Sequence, residues 1–99
     1  MKGLTEKQWE AQVKDIAKMF GWLYYHTWRS IHSPAGFPDC VFVKGGRLVF
    51  AELKRTGGQP TAEQCEWLET LNGVSNVNAY LWRPEDADEV IRVLRGDVG

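Results

Sequence analysis

The sequence predicts an α/β domain in which helices cover a central sheet on both faces. Three observations lead there. Two segments carry apolar residues at helical spacing behind a Thr-x-x-Gln start. A Gly45-Gly46 pair joins two apolar runs, and the elements follow the order α-β-β-β-α-β-α.

The first helix opens at Thr5, with Gln8 three residues on in the capping-box relation. Trp9, Val13, Ile16, Ala17 and Phe20 then form one apolar stripe, and Gly21 ends the helix. Residues 22–28 are aromatic-rich and read as a strand, and 29–38, with Ser, Pro and Gly, as a loop. Residues 39–44 and 47–54 flank Gly45-Gly46 as a hairpin. Its strands are apolar on both sides, with Val41, Val43, Leu48 and Phe50 on one face and Phe42, Val49, Ala51 and Leu53 on the other. A second capped helix starts at Thr61 with Gln64 and runs to Asn72-Gly73, and residues 77–82 form a short strand. Pro84, followed by Glu85 and Asp86, opens a last helix through about Leu94.

Ninety-nine residues hold one domain, spanning 1–99, with a single core. The 43% hydrophobic and 25% charged composition is that of a soluble chain, and no apolar run approaches the roughly 18 residues of a membrane span. The N-terminal stretch has no apolar segment of a secretory signal, so a cytoplasmic protein is expected. A net charge of −1 excludes a generically basic nucleic-acid coat but not a local site. Cys40 and Cys65 have no metal-ligand spacing with His26 or His32, and two free thiols in apolar surroundings are expected.

The informative feature is where the hairpin places its charges. With a two-residue turn, Lys44 opposes Arg47, Val41 opposes Phe50 and Asp39 opposes Glu52. Opposed residues share a face, with Cβ atoms about 4.5–5.5 Å apart. Lys54, two residues beyond Glu52, points to that same face. Two carboxylates facing each other beside a core repel, and desolvation adds to the cost. Lys54 offsets one charge, and a hard divalent cation such as Mg²⁺ or Mn²⁺ would offset more. Glu6, at the end of the first helix's stripe, either complements the helix dipole or joins this site, whereas Glu10 is farther round and expected to face solvent. Gln64 shares a face with Trp67, Leu68 and Leu71, and either completes its capping box or reaches the carboxylates.

Pro38-Asp39 followed by Glu52-Leu53-Lys54, with an acidic residue in the preceding helix, resembles the PD-(D/E)XK nuclease superfamily. The ordered set from Gly21 to Leu71 is more specific. Its Gly-Phe-Pro-Asp approach and Thr-x-x-Gln-x-x-Trp-Leu helix resemble the VRR-NUC group, as does the closing stretch 80–86. The resemblance implies a restriction-endonuclease-like αβββαβ core with a mixed sheet flanked by helices, and a Mg²⁺- or Mn²⁺-dependent DNA endonuclease. Asp39 and Glu52 then correspond to metal ligands, with the Leu53 carbonyl a further one. Lys54 corresponds to the lysine that orients or activates the attacking water, Gln64 to the helix glutamine and Glu6 to the first-helix carboxylate. Stand-alone domains this short resemble phage and bacterial members, which implies a homodimer acting on branched DNA such as four-way (Holliday) junctions. The location implied is the cytoplasm of a bacterial or phage-infected cell.

Arg29, His32, Lys44, Arg47 and Arg55 are the cations and imidazole expected to meet phosphates. Trp28 and Trp82 are the exposed aromatics expected at a dimer surface. His26 and His32 read as structural groups or phosphate contacts rather than general bases. Two rival readings are a catalytically silent nucleic-acid-binding or assembly module on the same fold, and an unrelated interaction domain.

Overall fold

The computed structural model describes residues 3–28 and 32–97. Two reciprocal caps fix where the long helices begin. The Thr5 N–H donates to Gln8 Oε1 at 2.9 Å and the Gln8 N–H to Thr5 Oγ1 at 3.1 Å, which starts α1 (Glu6–Met19). The same exchange between Thr61 and Gln64 starts α2 (Ala62–Asn72). Past Phe20, the chain reverses at Gly21, whose φ of +80° needs a residue without a side chain.

Four strands follow the expected order, β1 (Leu23–His26), β2 (Cys40–Lys44), β3 (Arg47–Leu53) and β4 (Val77–Trp82). They lie side by side in chain order, with β1/β2 and β2/β3 antiparallel and β3/β4 parallel. The sheet is therefore mixed, because α2 carries the chain back across it before β4. The hairpin register is the one the turn dictates, with Lys44 opposite Arg47, Val41 opposite Phe50 and Cys40 opposite Ala51. At the end of the chain Pro84–Asp86 forms a 3₁₀ turn rather than the first turn of the last helix, and α3 runs Ala87–Arg95.

The core lies on one side of the sheet. Trp9, Val13 and Ala17 of α1 and Val90, Val93 and Leu94 of α3 close over Cys40, Phe42, Val49, Ala51, Leu53 and Trp82. Burying each of these larger side chains contributes about 1.5–3 kcal/mol. Two indoles tie helices to strands and loops across the chain. Trp9 Nε1 donates to the Trp82 carbonyl at 3.0 Å, and Trp22 Nε1 to the Leu94 carbonyl at 2.7 Å.

The opposite face departs from the expectation of full cover. Helix α2 has no buried residue and packs chiefly on β4, leaving Leu23, Tyr25 and Val43 exposed. A helix about 10 Å across covers roughly two strands spaced about 4.8 Å apart, so α2 lies over β4 and part of β3 and not over β1 and β2. Two further expectations are corrected. Trp82 is fully buried, its indole N–H held by Glu89 Oε2 at 2.9 Å, so it cannot serve an exposed dimer surface. Cys65 is exposed on α2 rather than in apolar surroundings, and both cysteines are free thiols.

Candidate active site

Pro38 has no N–H to give the ladder, so regular pairing of β2 starts at Cys40. Asp39 takes over at that end of the strand. Its carbonyl accepts the Thr27 N–H at 2.7 Å, and its Oδ2 accepts the Leu53 N–H at 2.9 Å. Thr27 Oγ1 also donates to the Pro38 carbonyl at 2.8 Å. Asp39 is thus held from β1 on one side and β3 on the other. The approach to it is set by the preceding loop. Gly36, with φ +100°, lies against the Glu63 backbone, where an added Cβ would meet the Glu63 carbonyl carbon at 2.6 Å. Phe37 is wedged edge-on between Phe50 at 5.9 Å and Trp67 at 5.1 Å. The Gly-Phe-Pro-Asp run is the joint between α2 and the hairpin.

Glu52 lies next along β3 from Ala51, whose partner is Cys40, so the register brings Glu52 beside Asp39 as expected. It is 2% exposed, the one buried charged side chain among the described residues. Its Oε2 accepts from Gln64 Nε2 at 2.9 Å and faces Lys54 Nζ at 3.7 Å. Its Oε1 is buried without a hydrogen-bond partner. Burial first, and the Asp39 carboxyl second, push Glu52 up to about 8, while Lys54 pulls it down. Such an oxygen is costly unless something neutralises it.

Gln64 fills both of the roles open to it. Its Oε1 accepts from the Thr61 N–H at 2.8 Å while its Nε2 donates to Glu52. Capping fixes the side chain's rotamer, and the fixed rotamer aims the amide N–H₂ at the carboxylate. Lys54 is held at the strand's end, where its N–H donates to the Trp82 carbonyl at 3.1 Å. The Leu53 N–H points at Asp39, and a strand residue's carbonyl leaves on the same side as its N–H. The Leu53 carbonyl therefore also faces the Asp39 side.

Helix α1 begins at this end of the sheet, and Glu6 is exposed on its first turn. Its charge reaches Glu52 only as the smallest of the influences on it. Glu10 does not face solvent as expected. It is half-buried and paired with His26 Nε2 at 2.5 Å, which gives His26 the structural role anticipated for it. On the same side of the sheet Cys40 shares a 3.5 Å hydrogen bond with the Tyr24 hydroxyl, and burial pushes its thiol up to about 12. No reactive thiolate is therefore offered by Cys40.

The expected phosphate contacts divide. Arg55 is exposed on the loop that follows Lys54, and His32 is exposed on the loop approaching Asp39. Arg29 lies outside the described residues. Lys44 and Arg47 are placed elsewhere, and the expectation that they border the site is corrected. They flank the hairpin turn, five residues and about 16 Å along β3 from Glu52. Strand alternation also turns them to the core face, opposite the carboxylates. There Lys44 Nζ donates to the Phe20 carbonyl at the end of α1. The Arg47 guanidinium lies over the Trp22 ring at 5.4 Å and reaches the Val93 carbonyl at 3.5 Å. Both cations serve helix C-termini, which attract positive charge.

Another cation, not singled out in the sequence, lies near the end of β3. Arg83 follows β4 where it runs parallel beside β3, and its Nε donates to the Gly58 carbonyl at 2.9 Å. Thr56 Oγ1 donates to Glu85 Oε1 at 2.8 Å, so the 55–58 loop is tied to the segment after β4 at two points. Parallel neighbours are distant in sequence, so no local signal points to this pairing.

A solved structure described as a "VRR_NUC domain protein" superposes on the chain with a TM-score of 0.73, covering 95% of this chain and 88% of that one at 23% identity. This chain has that fold. No protein-family model matches it, and no curated protein matches it either. The likeness to the VRR_NUC domain protein therefore bears out the αβββαβ architecture with its mixed sheet, at an identity that speaks for the fold alone. Among the described residues no group of three or more His, Cys, Asp or Glu side chains is gathered for a metal. No helix among the described residues is long and apolar enough to cross a membrane.

Proposed function

We propose that this chain is a Mg²⁺- or Mn²⁺-dependent DNA endonuclease that hydrolyses phosphodiester bonds. The observation that carries the reading is the buried Glu52 Oε1, unpartnered beside the Asp39 carboxyl, with Lys54 on the same face. A buried carboxyl pair that holds a proton between its members fits a hard divalent cation, which would take that proton's place, and the residues that would hold it are Asp39, Glu52 and the Leu53 carbonyl. When bound, the cation supplies positive charge for a non-bridging phosphate oxygen and a more acidic water.

The chain's own groups do the rest. Gln64 holds Glu52 in place through one oxygen, leaving the other directed into the site. Lys54, 17% exposed and close to Glu52, is placed to stabilise charge developing at phosphorus or to hold the nucleophile in line. Arg55, His32 and Arg83 border this end of the sheet and position the phosphate backbone without reading sequence. Branched DNA such as a four-way junction is the substrate class we favour, since a small domain contacts a short duplex stretch and two copies would provide paired incisions. The name of the similar structure supports a nuclease, and a cytoplasmic site of action accords with that substrate.

The test is an incubation of the protein with labelled linear duplex, flap and four-way-junction DNA in Mg²⁺, Mn²⁺ or EDTA. Cutting that needs metal and is lost in Lys54→Ala is the expected result. Binding that is equal in EDTA, with no cutting under any metal, would replace the enzyme with a silent nucleic-acid-binding module.

A further inference from the structure

Lys54 stands just past Leu53, the last paired residue of β3. A lysine stem is long and flexible, yet this side chain is only 17% exposed and its Nζ lies 3.7 Å from Glu52. The chain that follows supplies the restraint. The Gly58 N–H donates to the Arg55 carbonyl at 2.8 Å and closes a turn over residues 55–58. Gly57, with φ +82°, takes the position that a type II turn reserves for glycine. The turn folds Gly58 back onto Lys54. An added Cβ on Gly58 would stand 3.3 Å from Lys54 Cβ and 3.5 Å from Arg55 Cγ. Gly58 is thus a wall against the stems of both cations.

That wall is held from far away in sequence. Arg83 Nε donates to the Gly58 carbonyl at 2.9 Å, and Thr56 Oγ1 donates to Glu85 Oε1 at 2.8 Å. The Lys54 N–H donates to the Trp82 carbonyl at 3.1 Å. Trp82 is fully buried, and the Arg83 N–H donates to Asp86 Oδ2 at 2.9 Å, so residues 82–86 form a fixed base for the turn. We propose that Arg83 is a positioning residue for Lys54, acting through its hydrogen bond to the Gly58 carbonyl. Thr56 and Glu85 steady the other side of the same turn.

The contact asks for an N–H at one point along the side chain, not for a positive charge, since the guanidinium engages Gly58 through Nε. Gln carries its amide nitrogen as many bonds from Cα as Arg carries Nε, and Met matches that length with no donor. Without the bond the turn keeps its own closure at Arg55 but loses a tie, and Gly58 no longer confines Lys54. A displacement of about 1 Å at a group that stabilises developing charge costs about a hundredfold in rate. This rate consequence rests on the nuclease reading of Lys54 above, whereas the restraint on its side chain does not.

Two measurements on Arg83→Met and Arg83→Gln test it. The first is ¹³Cε relaxation of Lys54 in the chain free of metal and DNA. Lys54 should be more restricted than exposed Lys14 in the wild type and in Arg83→Gln, and as mobile as Lys14 in Arg83→Met. The second is steady-state DNA cleavage below the melting temperature of each variant. Arg83→Met should lower kcat at least about tenfold, and Arg83→Gln should recover most of that loss, while KM rises in both with the missing charge. If Arg83→Met does not fold, Gly58→Ala moves the wall directly. Its methyl would press on Lys54 Cβ and on the Arg55 carbonyl, 3.1 Å away, and should lower kcat with every charge intact. Unchanged kcat in Arg83→Met, an equal fall in both variants, or a wild-type Lys54 as mobile as Lys14 would overturn the proposal. A wild type that cuts no DNA, yet restrains Lys54 and releases it in Arg83→Met, would uphold the positioning and sink the nuclease reading instead.

Discussion

Glu52 is the side chain most at odds with its surroundings, and its titration carries a stability cost of known sign. In the folded chain it keeps its proton up to about pH 8, against 4.5 for the free group. Between those values the unfolded chain has released a proton that the folded chain still holds. The metal-free protein therefore loses stability as pH rises from about 4.5 to about 8, by at most about 1.4 kcal/mol per pH unit. Thermal melts in EDTA should give a lower Tm at pH 8 than at pH 5.5, and Glu52→Gln should flatten the difference. A wild-type slope no steeper than that of Glu52→Gln would contradict the assignment. Gln64 gives a second test at this scale. Gln64→Glu retains the oxygen that caps Thr61 but replaces the donor to Glu52 with a third carboxyl group. It should cost about 1–3 kcal/mol at pH 8 and reduce cleavage at least tenfold. Gln8→Glu, in the matching cap of α1, should be neutral because Gln8 serves only its own cap.

At the scale of elements, the joint between the hairpin and α2 positions the site, and glycine substitutions separate its two possible costs. Gly57 has φ +82° and open space where a Cβ would stand, so Gly57→Ala should lose about 1 kcal/mol from backbone strain alone. Gly36→Ala adds a clash with the backbone of Glu63 and should lose at least about 2 kcal/mol, with weaker Mn²⁺ binding because Asp39 moves. Denaturant melts and calorimetry read the two effects. The sequence made much of this legible. Gly45-Gly46 fixed the hairpin register and so the meeting of Asp39 with Glu52. Both capping boxes marked helix starts to the residue. What it did not reveal depends on contacts between elements far apart in the chain. Parallel pairing brings Arg83 to the Gly58 carbonyl, Glu10 is drawn from solvent by His26, and Trp82 is buried because α1 and α3 close over it.

For the whole molecule, charge is separated between the two ends and two faces of the sheet. The carboxylates, Lys54, Arg55 and Arg83 gather where β3 and β4 end, while Lys44 and Arg47 secure helix C-termini at the turn end. Arg47→Ala should cost about 1–2 kcal/mol in stability through the lost Trp22 and Val93 contacts, and leave the salt dependence of DNA binding unchanged. Arg55→Ala should do the reverse, lowering the salt slope by about one with little effect on stability. Affinities measured over a salt series distinguish them. The most direct test of the account is calorimetric titration of the wild-type protein with Mn²⁺, alongside Glu52→Gln. Binding at millimolar affinity or tighter, abolished in Glu52→Gln, is the predicted result. A wild-type chain that takes up no Mn²⁺, or binds it equally well without the Glu52 carboxylate, would contradict the reading of this carboxylate pair as a metal site.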